Sequence, residues 1–324
     1  MWYLSRGNFM LARRLYLCLL ITLLSQCDVA PQPPLTIASH VWPGYELMFL
    51  ARRESWLPQK NIVLQETLSA TESIQALVDG KVDGAALTLD EVLRARAKGI
   101  ALTIVLVFDV SAGADKVLGK PGIDSLADLA GKRIGAEQSA LGALMLHKTL
   151  EAAHLKLTDV VPININDHLA AWQNEQVDAL ISYDPLASTL LEQGATLLFD
   201  SRKLPDTIFD VLAVKTDAIQ KNPDAIKALV AGHFRALKYF RSHTQDAVYR
   251  MAERLQVPGN EALNDFRGLE LPNVLENRKF LNATDSVFIQ AAQALSTLME
   301  KEHYLPQKDA MDHLVNADFL PQED

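Results

Sequence analysis

Residues 77–87, Leu77-Val78-Asp79-Gly80-Lys81-Val82-Asp83-Gly84-Ala85-Ala86-Leu87, recur in outline at residues 172–182, Trp172-Gln173-Asn174-Glu175-Gln176-Val177-Asp178-Ala179-Leu180-Ile181-Ser182. Each copy ends a helical pattern, turns on a polar residue and places Val-Asp before a short apolar run. Each then presents polar side chains, Thr88 and Asp90 in the first copy, Tyr183 and Asp184 in the second. A short apolar run bounded by a turn reads as a buried strand. The echo therefore predicts two lobes on one βα plan.

Outward from these copies, short apolar runs alternate with amphipathic segments, the pattern of βα units around mostly parallel sheets flanked by helices. Strands are expected at 35–40, 61–66, 84–87, 101–108, 132–136, 160–164, 179–182 and 209–215. Helices are expected at 46–56, 71–78, 89–97, 140–152 and 168–174. Beyond Lys215 the character turns helical. Asn222 is a good N-cap with Pro223 at the first helical position, and Ile226, Leu229, Val230, Phe234, Leu237 and Phe240 follow helical spacing. Further helices are expected at 245–255, 260–267 and 286–301. An α/β chain with this helical end predicts that residues 213–324 pack back onto a first lobe begun by residues 35–117. Residues 118–212 would then form a second, inserted lobe joined by two crossing strands.

The composition suits such a body. The 324 residues are 49% hydrophobic and 22% charged, which excludes a disordered tail, a collagen-like repeat and a polytopic membrane protein. The length accommodates about two domains. The formal charge is -9, and it becomes -12 without the first 26 residues, whose charged groups are only Arg6, Arg13 and Arg14. That sign repels phosphate backbones, so nucleic acid is not an expected partner.

Arg13 and Arg14 precede an apolar run, Leu15 to Leu24, that ends in Ser25, Gln26 and Cys27. Ten residues cannot cross about 30 Å of hydrocarbon as a helix, but they match the apolar stretch of a secretory signal peptide. Residues 1–26 are therefore expected to direct export. Cys18 and Cys27 are the only cysteines, which rules out a disulfide framework, thiolate metal sites or a cysteine nucleophile in the folded body. Leu24-Ser25-Gln26-Cys27 resembles the lipobox of bacterial lipoproteins, although Gln26 departs from the small residue of that pattern. The resemblance implies lipidation of Cys27, and Asp28 resembles the signal that keeps such proteins on the inner membrane. Residues 27–34, with three prolines, would form an extended tether; simple secretion is the alternative.

Signatures of chemistry are missing. The chain contains no Gly-x-Gly-x-x-Gly, no Gly-x-x-x-x-Gly-Lys-Ser/Thr, no His-Glu-x-x-His and no Gly-x-Ser-x-Gly. His147 and His154 lie seven apart on one expected helix without a third ligand nearby in sequence, so no metal and no cofactor is expected. Nothing points to an enzyme.

Val41-Trp42-Pro43-Gly44-Tyr45-Glu46, the stretch from Ile74 to Ala85, the stretch from Ser125 to Gly135 and Val177-Asp178-Ala179 together resemble the nitrate/sulfonate/taurine type of substrate-binding protein of ABC importers, in the same order along the chain. The resemblance implies the type II periplasmic-binding-protein fold, two α/β lobes that close over a small solute. It further implies a monomer that delivers this solute to a membrane permease. Two other classes share features: a solute sensor that docks on a signalling receptor, and the thiamine-pyrimidine synthases, enzymes of the same fold whose resemblance includes a cysteine-rich iron motif.

In such folds the ligand lies at the carboxyl ends of the strands, where helix amino termini aim free N–H groups inward. That geometry selects Trp42 and Tyr45 after the first strand, Ser69 and Thr71 at the next helix, Thr88 after the third strand, and Asp109 and Ser111 at the exit of the fourth. From the inserted lobe it selects Glu137, Ser139, Tyr183 and Asp184. Ser69, Thr71 and Ser139 serve equally well as helix caps, Asp90 reads as a capping or solvated residue, and Asp184, before Pro185, could start a helix. Helix amino termini favour an anionic head such as a sulfonate; several carboxylates and two aromatics favour an amine or quaternary ammonium. A sulfonate, an amine and a zwitterion all remain candidate ligands.

Overall fold

The computed structural model describes residues 32–322 except 138, 157, 158 and 285. The apolar leader and Cys27 lie outside the described residues. Among those described, no helix is long and apolar enough to cross a membrane.

The strands are β1 (Leu35–Ser39), β2 (Ile62–Glu66), β3 (Gly84–Thr88), β4 (Leu102–Ser111), β5 (Asp115–Gly119), β6 (Ile134–Ala136), β7 (Val160–Pro162), β8 (Ala179–Tyr183), β9 (Thr196–Asp200), β10 (Phe209–Lys215) and β11 (Leu269–Glu270). The helices are α1 (Glu46–Arg53), α2 (Ala70–Val78), α3 (Leu89–Ala97), α4 (Ala140–Ala153), α5 (His168–Gln173), α6 (Leu186–Glu192), α7 (Thr216–Lys221), α8 (Pro223–Ser242), α9 (Thr244–Leu255), α10 (Val274–Phe280) and α11 (Val287–Lys301). One sheet has the order β11-β4-β10-β3-β1-β2 and the other β7-β6-β8-β5-β9. This is the two-lobed α/β fold, with a helical carboxy-terminal part on the first sheet.

The sheets are mixed, not mostly parallel. β1 runs parallel to β2 and β3, and β6 to β7 and β8. β10, however, lies antiparallel between β3 and β4, and β5 antiparallel between β8 and β9. The cause is topological. Strands that carry the chain between sheets return without a crossover helix, and such a return enters antiparallel.

The echo has a structural basis. Gly80 and Glu175, at equivalent positions, both adopt positive φ, 70° and 56°, to reverse the chain. Asp83 then accepts the Thr36 N–H of β1 at 2.8 Å, and Asp178 accepts the Arg133 N–H just before β6 at 2.9 Å. In both sheets, an aspartate ahead of the strand ties it to its parallel neighbour.

β3 and β4 are buried along their whole lengths, as strands covered on both faces should be. The amphipathic α8 turns Ile226, Leu229, Val230 and Leu237 inward and packs on α1, while α11 packs on α3. The segment 260–267 is not the expected helix: it contains only a 3-10 turn, Asn264–Phe266. Pro258 and Gly259 precede it, and Gly268 ends it at φ 93°, in close backbone approach to Gly113. The run is too short to propagate a helix.

The outer edge of β4 is satisfied piecewise. β11 pairs only with Val110 and Ser111. Further along, the fully buried Asn277 side chain substitutes for a strand: the Val107 N–H donates to Asn277 Oδ1 at 2.7 Å, and Asn277 Nδ2 donates to the Val107 carbonyl at 3.1 Å. Asn277→Ala would leave both buried backbone groups without partners. Urea unfolding should show a loss of about 2–3 kcal/mol; a loss below about 0.5 kcal/mol would mean the edge finds other partners.

The chain crosses between sheets twice, after β4 and before β10. The two passages are laced together at their roots: Ser111 and Ser201 hydroxyls are 2.7 Å apart, the Gly113 N–H donates to Ser201 Oγ at 2.7 Å, and the Ser111 N–H donates to the Ile208 carbonyl at 3.0 Å. Gly113, at φ 124°, takes a conformation that side-chain-bearing residues rarely adopt.

Candidate solute-binding site

The carboxyl ends of β1, β3, β6 and β8 meet between the sheets, around a cavity of about 20 Å³. Its lining includes His40, Trp42, Thr88, Glu91 and Asp210 from the first sheet's side and Glu137, Ser139 and Tyr183 from the second.

Local sequence explains each placement. Separated from β1 by three residues, Pro43–Tyr45 forms a 3-10 turn with Pro43 at its first position, and this swings Trp42 to the mouth and Tyr45 beneath it. The Trp42 indole N–H donates to Asp109 Oδ2 at 3.1 Å, and the Tyr45 hydroxyl donates to Asp210 Oδ1. Asp109 and Asp210 face one another across the β4–β10 ladder, and Asp210 also pairs with Thr88 of β3. At the start of α3, Glu91 turns back so that its Oε2 accepts the Thr88 N–H at 3.0 Å. From the opposite side, Ser139 caps α4 by accepting the Gly142 N–H at 3.0 Å, and Glu137 precedes it. The rings of Trp42 and Tyr183 meet edge to face, 5.5 Å apart, across the gap. At the rim, Asn166 Nδ2 donates to the Leu68 carbonyl at 3.2 Å.

The electrostatics are one-sided. Burial pushes the Glu137 carboxyl up to about 7. It raises Asp109 against the hydrogen bonds from Trp42 and Asp210, and it raises Asp210 the more so for the neighbouring Asp109, Asp115 and Glu91. Glu91 is raised by burial and by the nearby Asp90 and Glu137. Asp115, close behind, is raised to about 6 by burial. Among the described residues no lysine or arginine lines the cavity; the nearby Lys116 is taken up by an ion pair with Asp184. His40 is held down to about 3, by burial and by the Arg254 guanidinium, and so stays neutral. Among the described residues no cluster of three or more His, Cys, Asp or Glu is arranged to hold a metal ion.

Five of the expected ligand residues, Trp42, Thr88, Glu137, Ser139 and Tyr183, line the cavity together. Tyr45 and Asp109 sit fully buried behind its wall. Ser69 caps α2 by accepting the Glu72 N–H at 3.3 Å, beside the cavity residue Ala70. Three do not join the site. Thr71 is exposed on α2. Ser111 binds Ser201 at the interlobe passage. Asp184 is committed to Lys116 and to the Ser188 N–H and hydroxyl at the start of α6. His40, Glu91 and Asp210 were not anticipated. The available signal for Asp210 was a carboxylate inside the apolar run Phe209–Lys215, whereas Asp109 was selected for its place at a strand exit.

These shifts set a pH dependence. A carboxyl with a raised native pKa is more protonated in the folded than in the unfolded chain, so stability falls as pH rises through its native value. The buried His40, His168 and His233, at about 3, 4 and 3, act in the opposite direction, mainly below about pH 7, because the unfolded histidines are still half protonated at 6.5. Between pH 6.5 and 8 the carboxyl contribution outweighs what remains of theirs, about 0.4 kcal/mol for each histidine. Unfolding free energy without solute should drop over that interval by about 1 kcal/mol for each group titrating near 7. Urea unfolding at the two pH values checks this; a rise would contradict the assignment.

The chain belongs to the family described as NMT1/THI5 like, which matches residues 47–247. A Brucella abortus protein that bears the name of a binding protein is 25% identical over 207 residues, covering 59% of this chain and 65% of that one. This chain thus matches slightly under two thirds of that relative's length. Among solved structures, the periplasmic aliphatic sulphonate binding protein SsuA of Escherichia coli superposes with a TM-score of 0.70 at 23% identity, over 87% of this chain and 97% of that one. The desulfurization enzyme DszB gives 0.65 at 19% identity, over 88% and 97%. One fold thus serves binding proteins and an enzyme, and the site must decide the function.

Proposed function

We propose that this protein is the solute-binding component of an ABC importer: it captures one small solute in the cleft between the sheets and hands it to a membrane permease without chemical change. The observation that carries the proposal is the convergence of Trp42, Thr88, Glu91, Glu137, Tyr183 and Asp210, from strand ends of both sheets, on a single cavity. Ligand sites in such folds form at strand carboxyl ends. The family, and the names borne by relatives, support the same reading.

Closure is intrinsic to the mechanism. A pocket for a small organic molecule usually needs about 300 Å³ or more, whereas this cavity has about 20 Å³. Entry therefore requires the sheets to part, breaking the Trp42–Tyr183 contact and the Asn166–Leu68 bond, with the passages at Ser111–Gly113 and 201–208 as the hinge. Solute then favours the closed form to the extent that it binds that form better. Residues 35–111 and 209–324 would move as one lobe and residues 115–200 as the other, because β5 belongs whole to the second sheet and β10 whole to the first; the expected limits at 117/118 and 212/213 cut through these two strands. The protein would act as a monomer on the periplasmic side, tethered to the inner membrane by lipid on Cys27, with residues 28–34 as the leash.

Uptake tests the proposal. A solute that stabilises the purified protein should enter cells lacking this chain at least about tenfold more slowly than cells that have it. Equal uptake in the two would overturn the importer role.

A further inference from the structure

We infer that the cleft takes an organic cation bearing N–H donors, a protonated amine or amidine, and not an anion. The inference rests on the solute-capture reading and deepens it.

The hydrogen-bond inventory is the first ground. Three donors beside the cavity are already spent within the protein: the Trp42 N–H on Asp109, the Tyr45 O–H on Asp210 and the Thr88 N–H on Glu91. Carboxyl acceptors are left over, beside the Thr88 hydroxyl and the His40 Nδ1, each of which can donate or accept. Glu137 Oε1 lines the cavity, has no partner, and belongs to a residue only 8% exposed. Just behind, Asp109 Oδ1 and Asp90 Oδ2 are also buried without partners. Buried acceptors left unpaired are costly, and a ligand that supplies an N–H to Glu137 removes that cost at the cavity wall. A sulfonate brings further acceptors and leaves it standing.

Charge is the second ground. Glu91, Glu137 and Asp210 face the cavity without a lysine or arginine among its lining residues. His40, a basic ring in the wall, packs edge-on against Tyr45, their rings 5.4 Å apart. An anion would have to keep all three carboxyls protonated, whereas a cation is stabilised by ionising them. The Trp42 and Tyr183 rings add aromatic faces and edges suited to a cationic group with a flat or short apolar body.

The sign of the ligand charge can be read directly. Calorimetry at pH 6.5 in buffers of different ionisation enthalpy should show net proton release when a member of a cation panel (ethanolamine, putrescine, benzamidine) binds; net proton uptake would overturn the inference. In thermal-shift titrations at pH 8, at least one of these cations should raise the melting temperature, and ethanesulfonate and benzenesulfonate should not. Glu137→Gln should weaken the responding cation about tenfold or more, while leaving the ligand-free melting temperature unchanged or higher. Undiminished binding by that variant would overturn the inference, as would a panel in which no cation binds. Stabilisation by the sulfonates alone would overturn the ligand class yet leave solute capture intact, and the uptake experiment judges the importer role separately.

Discussion

Arg254→Ala should destabilise the protein by about 3–5 kcal/mol, the loss expected when one partner of a buried ion pair is removed. Arg254, in the last turn of α9, is 12% exposed in its side chain, and its partner Glu46, the first residue of α1, only 1%. The guanidinium also donates to the Ser39 and His40 carbonyls, each at 3.2 Å, pairs with Glu66 at 3.1 Å and lies 3.5 Å from the centre of the Phe49 ring. One side chain thus joins α9, α1 and the end of β1, and so aims the His40–Trp42 segment at the cavity. Burial already lifts the Glu46 carboxyl to about 7 against the attraction of Arg254; burial outweighs the ion pair. Without Arg254, that carboxylate must protonate or stay buried and unpaired. Urea unfolding measures the loss, and Arg254→Met combined with Glu46→Gln should recover much of it, because no buried charge is then stranded. A loss under about 1 kcal/mol for Arg254→Ala would show that the pair is well solvated.

Gly44→Ala should be nearly as damaging, at about 3–5 kcal/mol, and should also abolish tight solute binding. A Cβ at Gly44 would fall 1.7 Å from Asp109 Oδ2 and 3.0 Å from the Trp42 indole nitrogen. It would strike the hydrogen bond that holds both groups. Gly44 is required here for close approach, since its φ is not in the positive range. Asp109 is fully buried, so its carboxylate has no solvent to swing into. Overpacking and loss of a charge-assisted bond combine in this estimate. Thermal unfolding and a solute titration would measure the two effects; a variant with unchanged stability and affinity would contradict the packing described around the Trp42 turn.

The framework was legible because local patterns carry it. Leu89–Ala97 and Phe209–Lys215 match their expected limits, since each is bounded by a strong capping or apolar signal. The Val-Asp echo proved to be a shared device, Asp83 and Asp178 each tying a strand to its neighbour. What local pattern could not convey was pairing. β5 begins with Asp115 and Lys116, charged residues that hide a strand buried between β8 and β9. The same limit governs the site. Residues at strand exits, Trp42, Thr88, Glu137 and Tyr183, were found because chain direction places them. Asp210 joins them through the antiparallel register of β10 against β3 and β4, a contact between residues more than a hundred positions apart. Asp109 carried the right signal, but that register turns it into the support of Trp42 behind the cavity wall. Thr71, one residue past Ala70 at the start of α2, faces solvent because a helical residue points about 100° from its neighbour.

The central claim is that the two sheets part and close around a solute. Spin labels on cysteines placed at Leu68 and Asn166, in a chain freed of Cys18 and Cys27, report the rim distance across the cleft. Without solute, the distance distribution should include a long, broad component from open molecules, and saturating solute should collapse it to the single short distance of the closed form. An identical distribution with and without a solute that demonstrably binds would contradict the account.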